Sequence, residues 1–141
     1  MTSTRFICIV DDSADYRLLL QQLLLRFLPD YPVRFFANGK IFLEELREMS
    51  HQPSLIILDR HMPEMNGHQT LEYLKQHPAY RTIPVVMMSS VASESEIYGC
   101  YESGANSFLL KPTDFEGLRN TIVTVCDYWL KLNQEPVTPD R

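Results

Sequence analysis

Two kinds of apolar pattern alternate along the chain. The first is a set of short, mostly apolar runs: Phe6-Ile7-Cys8-Ile9-Val10, Val33-Arg34-Phe35-Phe36, Leu55-Ile56-Ile57-Leu58, Val85-Val86-Met87-Met88 and Phe108-Leu109-Leu110. Runs this short and this apolar predict strands buried on both faces, the habit of parallel sheets. Arg34 breaks the second run and predicts an edge strand. The second pattern has helical spacing: Leu19, Leu20, Leu23, Leu24 and Phe27; then Phe42, Leu46 and Met49; then Leu71 and Leu74. Ser93 with Glu96, and Thr113 with Glu116, predict capping boxes at the starts of the last two helices. Gly104 predicts the end of the first of these. The final helix carries Phe115, Leu118, Ile122, Val125, Trp129 and Leu132 on one stripe. Asn66-Gly67, a hairpin signal in isolation, precedes a helical pattern and predicts a helix start. Five strand-then-helix units predict an α/β fold with a parallel sheet.

Composition narrows this picture. The chain has 141 residues, 45% apolar and 22% charged, which suits one globular domain. That domain is expected over residues 1–133, filling the chain with no room for an output domain, and a loose tail is expected over 134–141. The net charge is −5 with both signs scattered, so a nucleic-acid partner held by phosphate neutralisation is not expected. No apolar run approaches the roughly 20 residues that span a bilayer. The N-terminus lacks a signal-peptide layout, so a cytoplasmic location without a membrane partner is expected. Cys8, Cys100 and Cys126 lie in or beside apolar segments and read as reduced core thiols. His51, His61, His68 and His77 share no metal-ligand spacing and read as surface residues.

The chemistry gathers where the strands end, which is where open α/β sheets bind ligands. Asp11 and Asp12 follow the first run, Asp59 the third, Ser89 and Ser90 the fourth, and Lys111 the fifth. By itself Asp11-Asp12 reads as a turn into a helix capped by Ser13. With Asp59 and Lys111 at neighbouring strand ends it reads as a pocket. Three carboxylates in one cleft repel unless a cation lies among them. Oxygen-only ligands suit Mg²⁺, with Mn²⁺ as a substitute. A metal beside a lysine is a phosphoryl-transfer arrangement, and a carboxylate there can become an aspartyl phosphate.

Four motifs in this order resemble the receiver domain of two-component response regulators. They are Asp11-Asp12, Asp59 within Leu58-Asp59-Arg60-His61-Met62-Pro63-Glu64-Met65-Asn66-Gly67, Pro84 to Ser90, and Gly104 to Pro112. The resemblance covers about residues 5–130 and implies a flavodoxin-like sheet of order 2-1-3-4-5 with five helices. It implies that Asp59 is the phosphoacceptor and that the metal is held by Asp12, Asp59 and the backbone carbonyl of His61, with Asp11 acting through water. Ser89, Lys111 and Phe108 match the phosphate-binding and switch residues, and Asp59, Lys111 and Ser89 the catalytic set. The Lys111–Pro112 bond matches one that is cis in the family. Asn66 stands where the family more often has Asp. His61 and Val91 occupy the positions that tune acyl phosphate lifetime.

The resemblance implies a phosphoacceptor that phosphorylates and dephosphorylates itself with Mg²⁺, rather than a conventional enzyme. Its expected partners are a histidine kinase or histidine phosphotransfer protein and an output protein. The long final helix, ending Asp127-Tyr128-Trp129-Leu130-Lys131-Leu132, is similar to that of small response regulators serving bacterial phytochromes. Its apolar surplus suggests a homodimer contact, unless Trp129 folds back onto its own domain. Three other readings are weaker. An FMN carrier shares the strand order, but Asp11-Asp12 would repel its phosphate. An aspartate-nucleophile phosphatase needs a second acid that Asp59-Arg60-His61 lacks. An unphosphorylated scaffold would not need the intact acidic set.

Overall fold

The computed structural model describes residues 5–62 and 65–136. Strands β1 (Ile7–Val10), β2 (Val33–Phe36), β3 (Leu55–Asp59), β4 (Val85–Ser89) and β5 (Ser107–Leu110) pair in parallel in the order β2-β1-β3-β4-β5. Between and after them run α1 (Ala14–Phe27), α2 (Gly39–Glu48), α3 (Gly67–Gln76), α4 (Glu94–Glu102) and α5 (Phe115–Asp127). The expected order and element count hold. Every residue of β1, β3 and β4 is buried, whereas β2 and β5 are partly exposed at the two edges.

Side chains alternate across the sheet because strands have a two-residue period. Ile7, Ile9, Leu55, Ile57, Val86 and Met88 face one layer and pack with Leu20, Leu23 and Leu24 of α1 and Leu118, Ile122 and Cys126 of α5. Cys8, Val10, Ile56, Leu58, Val85 and Met87 face the other layer and meet Phe42, Leu46, Leu71, Leu74 and Cys100. A short apolar run in the sequence therefore serves two cores at once. The three cysteines are free and buried. Among the described residues no helix is long and apolar enough to cross a membrane.

Helix starts follow local side-chain chemistry. Ser13 caps α1, accepting from Tyr16 N, while Asn66 with Gln69 and Ser93 with Glu96 form capping boxes on α3 and α4. The box expected from Thr113 and Glu116 is absent. Asp114 is the cap instead, its carboxylate accepting from Gly117 N at 3.0 Å. An ionised carboxylate is a strong cap acceptor and interacts favourably with the helix N-terminus, so it displaces the hydroxyl one residue earlier. Gly104 leaves α4 with φ +106°, a conformation that side chains with a Cβ rarely adopt.

The apolar stripes also need correction. Phe27, expected on the buried face of α1, is exposed, with the guanidinium groups of Arg26 and Arg119 near its ring. Phe115 and Leu132 are exposed as well. The buried line of the final helix is Leu118, Ile122 and Cys126 in α5, and it continues to Leu130 where the helix widens into a π-helical turn over Tyr128–Leu132. That turn is closed by Asn133 N donating to Tyr128 O at 2.8 Å. A wider turn lets a four-residue spacing persist on one face, which brings Leu130 into the core. Trp129 is half-buried against the same core. Of the apolar surplus that suggested a homodimer, Trp129, Leu130 and Leu132, only Leu132 is exposed.

At the end of the sheet where the strands begin, Arg5 donates to the Leu130 carbonyl and pairs with Glu135 at 3.1 Å. Ser54 Oγ donates to the same Glu135 carboxylate at 3.0 Å. Residues 137–141 of the expected tail lie outside the described residues.

Candidate functional site

The opposite end of the sheet holds the site. Backbone ladders run one residue past the strands and fix its side chains. Asp11 N donates to Phe36 O at 3.0 Å, Arg60 N to Met88 O at 2.9 Å, and Lys111 N to Ser89 O at 2.8 Å. Asp59 and Ser89 are the last residues of β3 and β4, where the sequence pattern placed them just beyond. Between β1 and β3 the strand order reverses, and the helices after them leave to opposite sides; this opens a crevice. Gly67 lets α3 start close beneath it. A Cβ there would sit 2.1 Å from the Asp59 carbonyl oxygen.

Asp11, Asp12 and Asp59 offer carboxylate oxygens that all lie within 4.8 Å of one another. Asp11 and Asp59 are buried, while Asp12 is exposed. Lys111 Nζ lies 2.8 Å from Asp11 and 3.6 Å from Asp59. Asp11 is further anchored by Ser13 N, which donates to its carboxylate at 2.9 Å, and by Arg17, which donates to its carbonyl at 2.6 Å. Ser13 is thus both the helix cap and a clamp on the pocket, so the structural and chemical readings of Asp11-Asp12-Ser13 coexist.

Three carboxylates face one ammonium, and the imbalance shows in Asp59. Burial, reinforced by Asp11, raises its pKa to about 6, against the opposing pull of Lys111 and of a hydrogen bond from the His61 backbone. A group that tightens around oxygen donors and relieves this repulsion would be a divalent cation. The all-oxygen donor set fits Mg²⁺ or Mn²⁺. His61 itself is exposed. Pro63 and Glu64 of the same motif lie outside the described residues.

Ser89 is fully buried, and its hydroxyl donates to the Val91 carbonyl at 2.7 Å. Phe108 is half-buried against the layer of α2, α3 and α4, and its backbone N–H donates to the Tyr101 hydroxyl at 3.1 Å. No described peptide bond is cis, so Lys111–Pro112 is trans, contrary to expectation. Trans is the favoured isomer even before proline, and Lys111 Nζ reaches Asp11 from it.

Three neighbours of the site were not singled out from the sequence. Tyr16 lies beneath Lys111, whose Nζ is 4.2 Å from the centre of its ring. Arg17 ties the Asp11 backbone. Arg60 pairs with Glu96 at 3.2 Å, joining the loop after β3 to the capping box of α4. The only sequence signal for the first two was their place in the first helical turns after Asp12. Arg60 directly follows Asp59.

A five-stranded sheet in this order, with a carboxylate–lysine pocket at its switch point, is the plan of a receiver-type α/β domain. The family model described as response regulator receiver domain matches residues 7–123, and the chain belongs to that family, which acts in two-component signalling. It is similar to the two-component response regulator ORR3 of Oryza sativa, with 38% identity over 117 residues, covering 81% of this chain and 87% of ORR3. It is also similar to the response regulator Rcp1 of Synechocystis sp., with 28% identity over 132 residues and 90% of each chain covered. The Mn²⁺-bound form of Rcp1 has a TM-score of 0.85 at 26% identity, covering 94% of this chain and 99% of Rcp1. The phosphorylated cyanobacterial phytochrome response regulator RcpA shares the fold, with a TM-score of 0.88 at 24% identity and coverage of 96% and 100%.

Proposed function

We propose that the chain accepts a phosphoryl group on Asp59 from a histidine kinase or histidine phosphotransfer protein and changes its surface for an output partner. The observation that carries this reading is the Asp59 carboxyl, buried at the end of β3 within 4.8 Å of the acid pair and 3.6 Å from Lys111 Nζ. An Asp59 oxygen attacks phosphorus, the bond from phosphorus to the donor imidazole breaks, and the imidazole leaves with a proton. The product is an acyl phosphate. Asp12, Asp59 and the His61 carbonyl would hold Mg²⁺, with Asp11 acting through water. The bound cation offsets the charge that carboxylates and phosphoryl oxygens bring together.

Lys111 is already poised between Asp11 and Asp59 and pairs with a phosphoryl oxygen once Asp59 is modified. The Ser89 hydroxyl is the nearby donor that changes partner. Drawing it toward the phosphoryl group breaks its bond to Val91 O and moves the loop after β4. The half-buried Phe108 ring fills the space released. This biases a two-state surface formed by α4, β5 and α5.

Incubation with acetyl phosphate and Mg²⁺, followed by intact-mass measurement, tests the reading. One phosphate increment is expected, absent in Asp59→Asn and absent with excess chelator. Full labelling of Asp59→Asn would overturn the acceptor, and labelling in chelator would overturn the metal requirement.

A further inference from the structure

The ring of Tyr16 forms the floor under the only ammonium described in the pocket. Its centre is 4.2 Å from Lys111 Nζ, within the range of a cation–π contact. The same ammonium is 2.8 Å from Asp11 and 3.6 Å from Asp59. Lysine is a flexible stem with a mobile charge, and two carboxylates on one side would draw it toward whichever is nearer. The Tyr16 ring face supplies a third contact. Among the described residues, the buried Tyr16 hydroxyl, by contrast, meets no hydrogen-bond partner. The contact with Lys111 is therefore made by the ring face and not by the hydroxyl.

We propose that Tyr16 is a positioning residue, whose ring face holds the Lys111 ammonium over the crevice where Asp59 receives the phosphoryl group. The role rests on the acceptor reading above but is structural in origin. α1 places Tyr16 one turn after Asp12, and Ser13 fixes that turn by accepting from Tyr16 N at 3.2 Å. Arg17, the next residue, holds the Asp11 carbonyl. One turn of helix therefore sets both the acid and the lysine of the pocket.

The decisive observable is independent of phosphorylation. An ammonium stacked on a ring is shifted upfield by the ring current, so the Lys111 side-chain ¹H–¹⁵N resonance should be upfield in the full chain. Tyr16→Leu should return it toward the ordinary lysine position and slow labelling by acetyl phosphate roughly three- to tenfold. Tyr16→Phe, which keeps the ring and deletes the unpartnered hydroxyl, should recover both the shift and most of the rate. Circular dichroism melting of each variant separates loss of folding from loss of positioning. An unshifted Lys111 resonance in the wild type, or Tyr16→Leu labelling at the wild-type rate, overturns the proposal. So does Tyr16→Phe failing as Tyr16→Leu does, since the hydroxyl would then be the working group. If the wild type took no label at all, the acceptor reading would fall, and the Lys111 resonance would still decide the contact.

Discussion

The two ends of the sheet solve the same problem in opposite ways. Where the strands begin, Glu135 is met by Arg5 at 3.1 Å and by the Ser54 hydroxyl at 3.0 Å, and Arg5 also serves the Leu130 carbonyl. One carboxylate has one cation and a donor, so the polar groups are matched. Where the strands finish, Asp11, Asp12 and Asp59 cluster around a single ammonium, Lys111, which reaches only Asp11 and Asp59, and Asp59 is left with a pKa of about 6. The matched end fastens the final turn and the segment after it to the sheet. The unmatched end stores repulsion that a divalent cation would relieve. Polar residues near a sheet edge therefore do not announce function; an uncompensated charge among them does.

Removing the unbalanced charge at the strand ends should have the largest effect. Below pH 3.8 the Asp59 carboxyl is protonated in both the folded and unfolded chain, and its contribution to stability is complete. As pH rises, the unfolded chain releases the proton first, so stability falls until the folded carboxyl ionises near pH 6. In chelator, Asp59→Asn should lack this loss and exceed the wild type by roughly 3 kcal/mol above pH 6, with little difference below pH 4. Urea unfolding across that range checks it. A pH-independent gap would mean that this end is compensated as well as the other. Saturating Mg²⁺ should close much of the gap by binding the folded wild type.

The next effect concerns the matched end. Trp129 is half-buried against the core that α1 and α5 share with the sheet. Trp129→Ala should cost about 2 kcal/mol in the monomer, less than a fully buried aromatic, without altering the sedimentation coefficient. A dimer that dissociates with monomer stability unchanged would move Trp129 from the core to an interface.

A smaller effect is expected from Ser89→Ala, which deletes a buried hydroxyl bonded to the Val91 carbonyl. It should cost about 1 kcal/mol and leave Asp59 able to take label. NMR shifts on beryllofluoride addition should be reduced around α4 and β5. An undiminished response would remove Ser89 from the switch. The smallest change is Glu135→Gln. Its pair with Arg5 is about one-third exposed, so the loss should be roughly 0.5 kcal/mol and should fade with added salt. Labelling of Asp59 should be unaffected, because the two ends share no side chain.

Much of the molecule follows from local sequence alone. Unbroken apolar runs marked β1, β3 and β4, since only a strand covered on both faces tolerates an apolar residue at every position, and Arg34 marked β2 as an edge. Ser13, Asn66 and Ser93 marked helix starts through hydrogen bonds that reach only three residues. The charged residues at the strand ends were also legible, because the polypeptide must turn polar where the sheet stops. Three features were settled only in three dimensions. Asp114 rather than Thr113 caps α5, a competition between neighbours that the pattern does not rank. The π-helical turn at Tyr128–Leu132 sends Leu130 inward, and Leu132 stays exposed, because a change of helical pitch is invisible to a fixed period. Tyr16 lies under Lys111 because α1 crosses behind the crevice, far from Lys111 in sequence. Local chemistry determines what each segment can be. Which charge goes unmatched, and which ring steadies it, depends on contacts between residues about a hundred positions apart, and only the closed sheet creates those contacts.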